Sequence, residues 1–275
     1  MKPFETHDSL TLDYRIEGEG KPLLCLPGLT RDLHDFSELA TAMRGEAQVI
    51  RLTQRGRGKS VWAADYRSYN IVQEARDVLE FMDFLGLEKA TIIGSSRGGF
   101  NAMILAATAP ERLSGVLLND IGPELAQNGI DKIKDYIGKP PPARNIDELV
   151  QGMMADMGAD FPDLSAAKWE ELARRWFKVS ENRVELNYDP AIGRALHEQA
   201  QAPPPDLWGL FDLMEDVPLA LLRGENSNLL SRETAAEMQA RHPDMLYAEV
   251  PNRGHIPLLD EPESLETIRK LLALA

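Results

Sequence analysis

The chain has 275 residues, of which 43% are apolar and 27% charged, so it can bury a sizeable core and is not a disordered or fibrous sequence. With 44 acidic against 30 basic residues the formal charge is −14, which argues against nucleic acid or an anionic membrane surface as the main partner. The single cysteine, Cys25, has no internal disulfide partner and sits in the apolar run LLCLPG as a buried strand residue.

In chain order, the N-terminus MKPFETHDSL lacks the apolar region of a leader, and no apolar stretch reaches the ~18 residues of a membrane span, so a reducing cytoplasmic compartment is expected. LTLDYRIEG (10–18) alternates at period two and ends in a Gly-Glu-Gly-Lys-Pro turn. PLLCLPG (22–28), QVIRLT (48–53), ATIIGS (90–95) and LSGVLLND (113–120) are continuous apolar runs closed by turn residues, as in a parallel sheet covered on both faces. The helical stretch IVQEARDVLEFMDFLG (71–86) lines up Ile71, Ala75, Val78, Leu79, Met82 and Leu85 and stops at Gly86. FNAMILAATAP (100–110) follows ATIIGS as a second helix, and the alternation predicts βαβ units in a doubly wound sheet.

From about Gly122 to Met214 no strand-like run is apparent. Helical fragments (IDELVQGMMADM, AAKWEELARRWF, DPAIGRALHEQA, DLWGLFDLM) and the proline clusters KPPPARN and QAPPPD suggest a helical lid. Its Met153, Met154, Met157, Trp169, Trp176, Phe177, Trp208 and Phe211 either pack it onto the body or face an apolar substrate. The α/β rhythm then resumes with VPLALLRGE (217–225), a helix over 231–241, DMLYAEVPNRGH (244–255) and a last helix opened by Pro262. The expected domains are a core of 1–121 and 215–275 and a lid of 122–214.

Gly94-Ser95-Ser96-Arg97-Gly98 fits G-x-S-x-G with Ser96 at its centre. Ser95 cannot take that place, since its flanking positions are Ile93 and Arg97. A serine on a tight strand-to-helix turn needs small neighbours and points its hydroxyl out of the sheet. His255, after the last strand, completes the chain order nucleophile, acid, histidine. The other histidines (His7, His34, His197 and His242) lack such a placement; His34 is expected on a surface loop, with lining the site as the alternative. Leu26-Pro27-Gly28-Leu29-Thr30 ends an earlier strand, and an oxyanion hole on such a sheet takes the N–H groups of Leu29 and Arg97. Arg31, next to that loop, is expected to face solvent, with recognition of a substrate carboxylate as the alternative. Gly58-Lys59-Ser60 mimics the end of a phosphate loop, but that pattern requires glycine where Thr53 stands.

Taken as an ordered set, PGLTRD, QRGRGKS, GSSRGG, the insertion after LLNDIGP and RGHIPLLDEPE resemble the α/β-hydrolase superfamily. The resemblance implies an eight-stranded, mostly parallel doubly wound sheet, a helical cap inserted after the sixth strand, and hydrolysis of an ester or lactone through an acyl-enzyme. In it the QRGRGKS loop merely guides the chain from strand to helix. Cleavage of a carbon–carbon bond in a diketone uses the same residues, and a binding protein with a degraded site is the reading from another class. No cofactor or metal is implied; the expected partner is a small-molecule substrate, and oligomeric state is not indicated.

The carboxylate that should orient His255 is not where relatives commonly carry it. That region reads Arg223-Gly224-Glu225-Asn226-Ser227-Asn228, without an aspartate. Three positions compete: Asp120 at the end of LSGVLLND, Asn228 as an exchanged or lost aspartate, and Glu225.

Overall fold

In the central sheet, alternate side chains of each strand enter different hydrophobic layers, which explains why the strands read as unbroken apolar runs. The computed structural model describes residues 2–201 and 206–275. The strands are β1 (Phe4–Glu5), β2 (Thr11–Leu12), β3 (Tyr14–Glu17), β4 (Lys21–Leu26), β5 (Ala47–Leu52), β6 (Ala90–Ser95), β7 (Leu113–Asn119), β8 (Phe177–Ser180), β9 (Arg183–Leu186), β10 (Leu219–Gly224) and β11 (Leu246–Val250). Those of the central sheet lie in the order β11-β10-β7-β6-β4-β5-β3, all parallel except β3, which runs antiparallel to β5.

The sheet therefore has seven strands among the described residues, where eight were expected. The run 10–18 breaks at Asp13, whose N–H and carbonyl are bonded to Ser60 Oγ and Thr53 N. Its first part, β2, pairs with β1 as a separate ribbon. Phe4 of that ribbon packs on Phe81 with ring centroids 5.0 Å apart instead of extending the sheet.

The helices are α1 (Ser37–Met43), α2 (Ile71–Leu85), α3 (Arg97–Thr108), α4 (Gln127–Tyr136), α5 (Ile146–Met157), α6 (Ala166–Trp176), α7 (Ala191–Gln199), α8 (Leu207–Asp212), α9 (Arg232–Arg241) and α10 (Pro262–Leu274). On one side of the sheet Leu24, Ile92, Val116 and Leu221 meet α2, α3, α8 and α9. On the other, Leu23, Cys25, Ile93 and Leu222 meet α1 and α10. Local signals set the helix ends. Asn70 and Ser231 cap the first turns of α2 and α9 through their side chains, and Gly86 ends α2 in the left-handed region at φ 69°. Cys25 is fully buried, and burial pushes its thiol pKa up.

The segment between β7 and β10 is not wholly helical, as its sequence suggested. Its β8 and β9 form an antiparallel hairpin, and Val184 joins Leu149, Phe161, Trp169 and Leu172 in a hydrophobic cluster of the segment's own. The strand ends Phe177 to Leu186 alternate, but directly after the amphipathic α6 they read as its continuation. Trp208 and Phe211 on α8 pack into the body instead. The segment is tied down by Gly58 N–H to the Asn187 carbonyl (2.8 Å), Asp189 N–H to the Gly56 carbonyl (2.8 Å) and a salt bridge of Lys168 with Glu38 (2.7 Å). Residues 202–205, most of the cluster QAPPPD, lie outside the described residues.

Candidate active site

Strands β4, β6 and β7 lie side by side, and the chain crosses from β5 over β4 to reach β6. Ligands of open α/β sheets bind at such a reversal, beyond the carboxyl ends of the strands. Leu29 follows β4, Ser96 follows β6 and Asp120 follows β7, so three residues singled out in the sequence meet there.

Ser96 has φ 49° and ψ −117°, a conformation unfavourable for a side-chain-bearing residue. It is held by Ser96 N–H to the Asn119 carbonyl (3.0 Å) and Gly99 N–H to the Ser96 carbonyl (2.8 Å). The glycines on either side are demanded by close approach. A methyl at Gly94 would lie 2.5 Å from Gly99 Cα, and one at Gly98 would overlap the Leu26 carbonyl. Ser95 is turned into the body, where its hydroxyl accepts from Asn119 Nδ2 at 3.0 Å.

His255 Nε2 lies 2.9 Å from Ser96 Oγ, and its Nδ1 lies 2.7 Å from Asp120 Oδ2. Asp120 is fully buried and also accepts the Gly224 N–H (2.8 Å) and the Ser227 hydroxyl (2.6 Å). With the Gly224 and Ser227 donors already on its oxygens, Asp120 serves as the acceptor toward Nδ1 of His255, which leaves Nε2 to accept from Ser96. Of the three competing carboxylate positions, only Asp120 touches the imidazole. Asn228 lines the neighbouring cavity, and Glu225 is exposed, accepting the Asn252 N–H at 3.0 Å.

Leu29 and Arg97 have N–H groups with no partner among the described residues, as donors to a ligand must. Behind them lies a buried ionic network that the sequence reading missed. Arg57 Nε donates to the Leu29 carbonyl at 2.9 Å, and its Nη1 to Glu74 Oε1 at 2.8 Å. Arg97 Nε donates to the other oxygen of Glu74 at 2.7 Å. Burial alone would raise the Glu74 carboxyl, but the Arg57 and Arg97 charges overcome it and hold the pKa below the usual carboxylate range. The QRGRGKS loop thus does more than guide the chain. Two signals were present: Arg57 in a loop read as a mere connection, and Glu74, a charged residue beside the apolar stripe of α2. Ser227 was also missed, because hydroxyl support for a carboxylate leaves no pattern in sequence.

A cavity of about 610 Å³ opens onto Ser96 and His255. Met153, Met157, Trp176 and Phe177 line it, joined by Tyr136 and Tyr188, which sequence reading did not select. Trp169 is buried in the cluster of α5 and α6, Met154 is exposed, and Trp208 and Phe211 pack against the body. His34 is half-buried and bonded to Asp32 (2.9 Å). Arg31 lines the cavity, contrary to the expectation of a solvent-facing side chain.

A model of the alpha/beta hydrolase family matches residues 23–267. A 3-hydroxybutyrate-oligomer hydrolase of Cupriavidus necator is 33% identical over 254 residues, covering 88% of this chain and 85% of that protein. An N-formylmaleamate deformylase of Pseudomonas putida is 27% identical over 246 residues, covering 88% of this chain and 84% of the other. Among solved structures, an alpha/beta hydrolase from Novosphingobium aromaticivorans superposes with a TM-score of 0.92 at 36% identity, covering 100% of this chain and 98% of that one. The chain belongs to the alpha/beta hydrolase family and is an enzyme of the hydrolase class.

Proposed function

We propose that this enzyme hydrolyses a small, largely apolar carboxylic ester through an acyl-enzyme on Ser96. One observation carries the reading: Ser96 Oγ, the His255 ring and the buried Asp120 form a continuous relay with links of 2.9 and 2.7 Å. Ser96 Oγ attacks the ester carbonyl while its proton passes to His255 Nε2. The oxyanion is received by the Leu29 and Arg97 N–H groups. Asp120 stabilises the imidazolium, which then protonates the departing alcohol. Water, deprotonated by His255, attacks the acyl group and frees the acid and Ser96. Residues 122–214 act as a cap over the reacting atoms, with apolar side chains lining the cavity.

The ester class is supported by the relative that is a 3-hydroxybutyrate-oligomer hydrolase, whose substrate bonds are esters. The Asp120 carboxylate 2.7 Å from His255 supports a working site over a degraded one. The test is a panel of 4-nitrophenyl alkanoates, lactones and 1,3-diketones with product analysis. Ester cleavage at the highest kcat/KM, abolished in Ser96→Ala, is expected. Cleavage of a diketone carbon–carbon bond with esters inert would overturn the ester assignment.

A further inference from the structure

Among the cationic side chains that line the cavity, Arg31 is held by stacking on Trp176 and has a loose ion pair with Asp35. The two lysines that line the cavity are engaged: Lys132 lies 3.5 Å from Asp156, and Lys139 donates to the Asp135 carbonyl at 2.8 Å. Arg31 makes one side-chain hydrogen bond, to Thr30 Oγ1 at 3.3 Å, and its nearest carboxylate, Asp35, is 3.8 Å away. The Arg31 guanidinium lies 3.8 Å from the ring centroid of Trp176, and the Trp176 N–H is locked to Asp35 Oδ1 at 2.9 Å. Stacking restrains the guanidinium, whose Nη1 donates to Thr30 while Nε and Nη2 make no hydrogen bond among the described residues.

Its position relative to the nucleophile is set by Gly28. A methyl on Gly28 would lie 3.6 Å from Ser96 Cβ and 3.7 Å from Arg31 Cγ, so both side chains lie against one small residue. The cavity wall also carries Tyr188, which is 3% exposed. Tyr188 accepts the Gly138 N–H at 3.1 Å, and its own hydroxyl hydrogen meets no acceptor among the described residues. A planar guanidinium with free edge donors and an unspent hydroxyl are what a carboxylate requires.

We infer that Arg31 binds a free carboxylate of the substrate, so that the ester cleaved at Ser96 belongs to the class of short esters that carry an acid group, such as monoesters of diacids and esters of hydroxyacids. This rests on the ester-hydrolase reading above and adds to it the recognition element and the charge of the substrate. No bond other than the ester is made or broken, and the carboxylate is bound unchanged.

Two matched pairs test it. One puts the charge on the acyl side: mono-4-nitrophenyl glutarate against 4-nitrophenyl pentanoate. The other puts it on the alcohol side: 3-acetoxybutanoate against 3-acetoxybutanamide, followed by acetate release. The parent enzyme is expected to prefer the charged member of at least one pair by about 10- to 100-fold in kcat/KM, the range of a charge-assisted hydrogen bond. Arg31→Met should bring that ratio near one, and Arg31→Lys should keep part of it. Glutarate, but not its diamide, should compete with 4-nitrophenyl pentanoate in the parent enzyme, which tests the corner even if the Met variant fails to fold. Hydrolysis of the neutral esters without preference for their charged partners, or a preference that survives in Arg31→Met, would overturn the carboxylate corner and leave ester hydrolysis standing. Inertness of all four esters would overturn both.

Discussion

Glu74 and Arg97 form a buried ion pair, Oε2 to Nε at 2.7 Å, directly behind the turn that carries Ser96. Through its other oxygen Glu74 holds Arg57, which in turn holds the Leu29 carbonyl. One carboxylate therefore ties together the two residues whose N–H groups face the proposed oxyanion. Removing its charge leaves two buried guanidinium groups without a counter-charge. Glu74→Gln is expected to lower stability in urea by about 3–5 kcal/mol, the cost of breaking a buried pair. It should lower kcat about 10- to 100-fold with little change in KM, because a misplaced donor loses transition-state contacts first. An equal effect on kcat and KM in a folded variant would mean the network serves binding or stability alone.

Asp120 meets His255 Nδ1, so Asp120→Asn should support the wrong tautomer. The same exchange in a serine protease costs about 10⁴ in kcat, and a loss of that order is expected here. Asn228→Asp and Glu225→Gln, changed away from the imidazole, should leave kcat within about threefold. A large gain in Asn228→Asp with Asp120→Asn nearly silent would reverse the assignment.

Ser227 donates to Asp120 Oδ2 at 2.6 Å and accepts the Leu230 N–H at 3.1 Å. In Ser227→Ala the carboxylate keeps the Gly224 N–H and His255 but loses its hydroxyl donor. Such a loss is worth about 1.5–3 kcal/mol for a bond to a charged group, so kcat should fall about tenfold. The rate against pH separates positioning from general destabilisation: its acid limb should move, whereas a purely structural effect lowers the whole profile evenly.

Asp35 gives a pH dependence of stability whose sign can be worked out. Burial raises its pKa from 3.8 to about 6, with the Asp32 charge adding to the shift and Arg31 opposing it. A carboxyl that is harder to ionise when folded binds a proton on folding between roughly pH 4 and 6, so stability falls as pH rises through that window. Asp35→Asn removes the penalty and keeps an oxygen for the Trp176 N–H. Its stability advantage over the parent should grow by on the order of 2–3 kcal/mol between pH 4 and pH 7.5 in urea unfolding. An advantage that does not change with pH would show that Asp35 ionises normally.

Much of this was legible in the chain itself. Glycine spacing separated Ser96 from Ser95, and the structure adds the reason: Gly94 and Gly98 stand where a methyl would strike Gly99 and Leu26. Continuous apolar runs marked the buried strands because α2 and α3 cover one face and α10 the other. His255 could be found by its place after the last strand, but its carboxylate partner could not. Asp120, Asn228 and Glu225 all stand near strand ends, and only the β7–β10 pairing brings Asp120 beneath the ring. The β8–β9 hairpin was hidden because its short strands follow an amphipathic helix with no glycine or proline between them. The Arg57–Glu74–Arg97 network was hidden for a deeper reason. Its members come from a loop and two helices, and nothing in sequence says that charges so far apart neutralise one another in the interior.

The central claim is that Ser96 is an activated nucleophile served by His255, and covalent labelling tests it most directly. A fluorophosphonate should phosphonylate the parent enzyme stoichiometrically within minutes, with the adduct on the peptide carrying Ser96. Ser96→Ala should not label, and His255→Ala should label at least about 10²-fold more slowly, the low end of what general-base assistance contributes. A parent enzyme that stays unlabelled, or a Ser96→Ala variant that labels as fast as the parent, would contradict it.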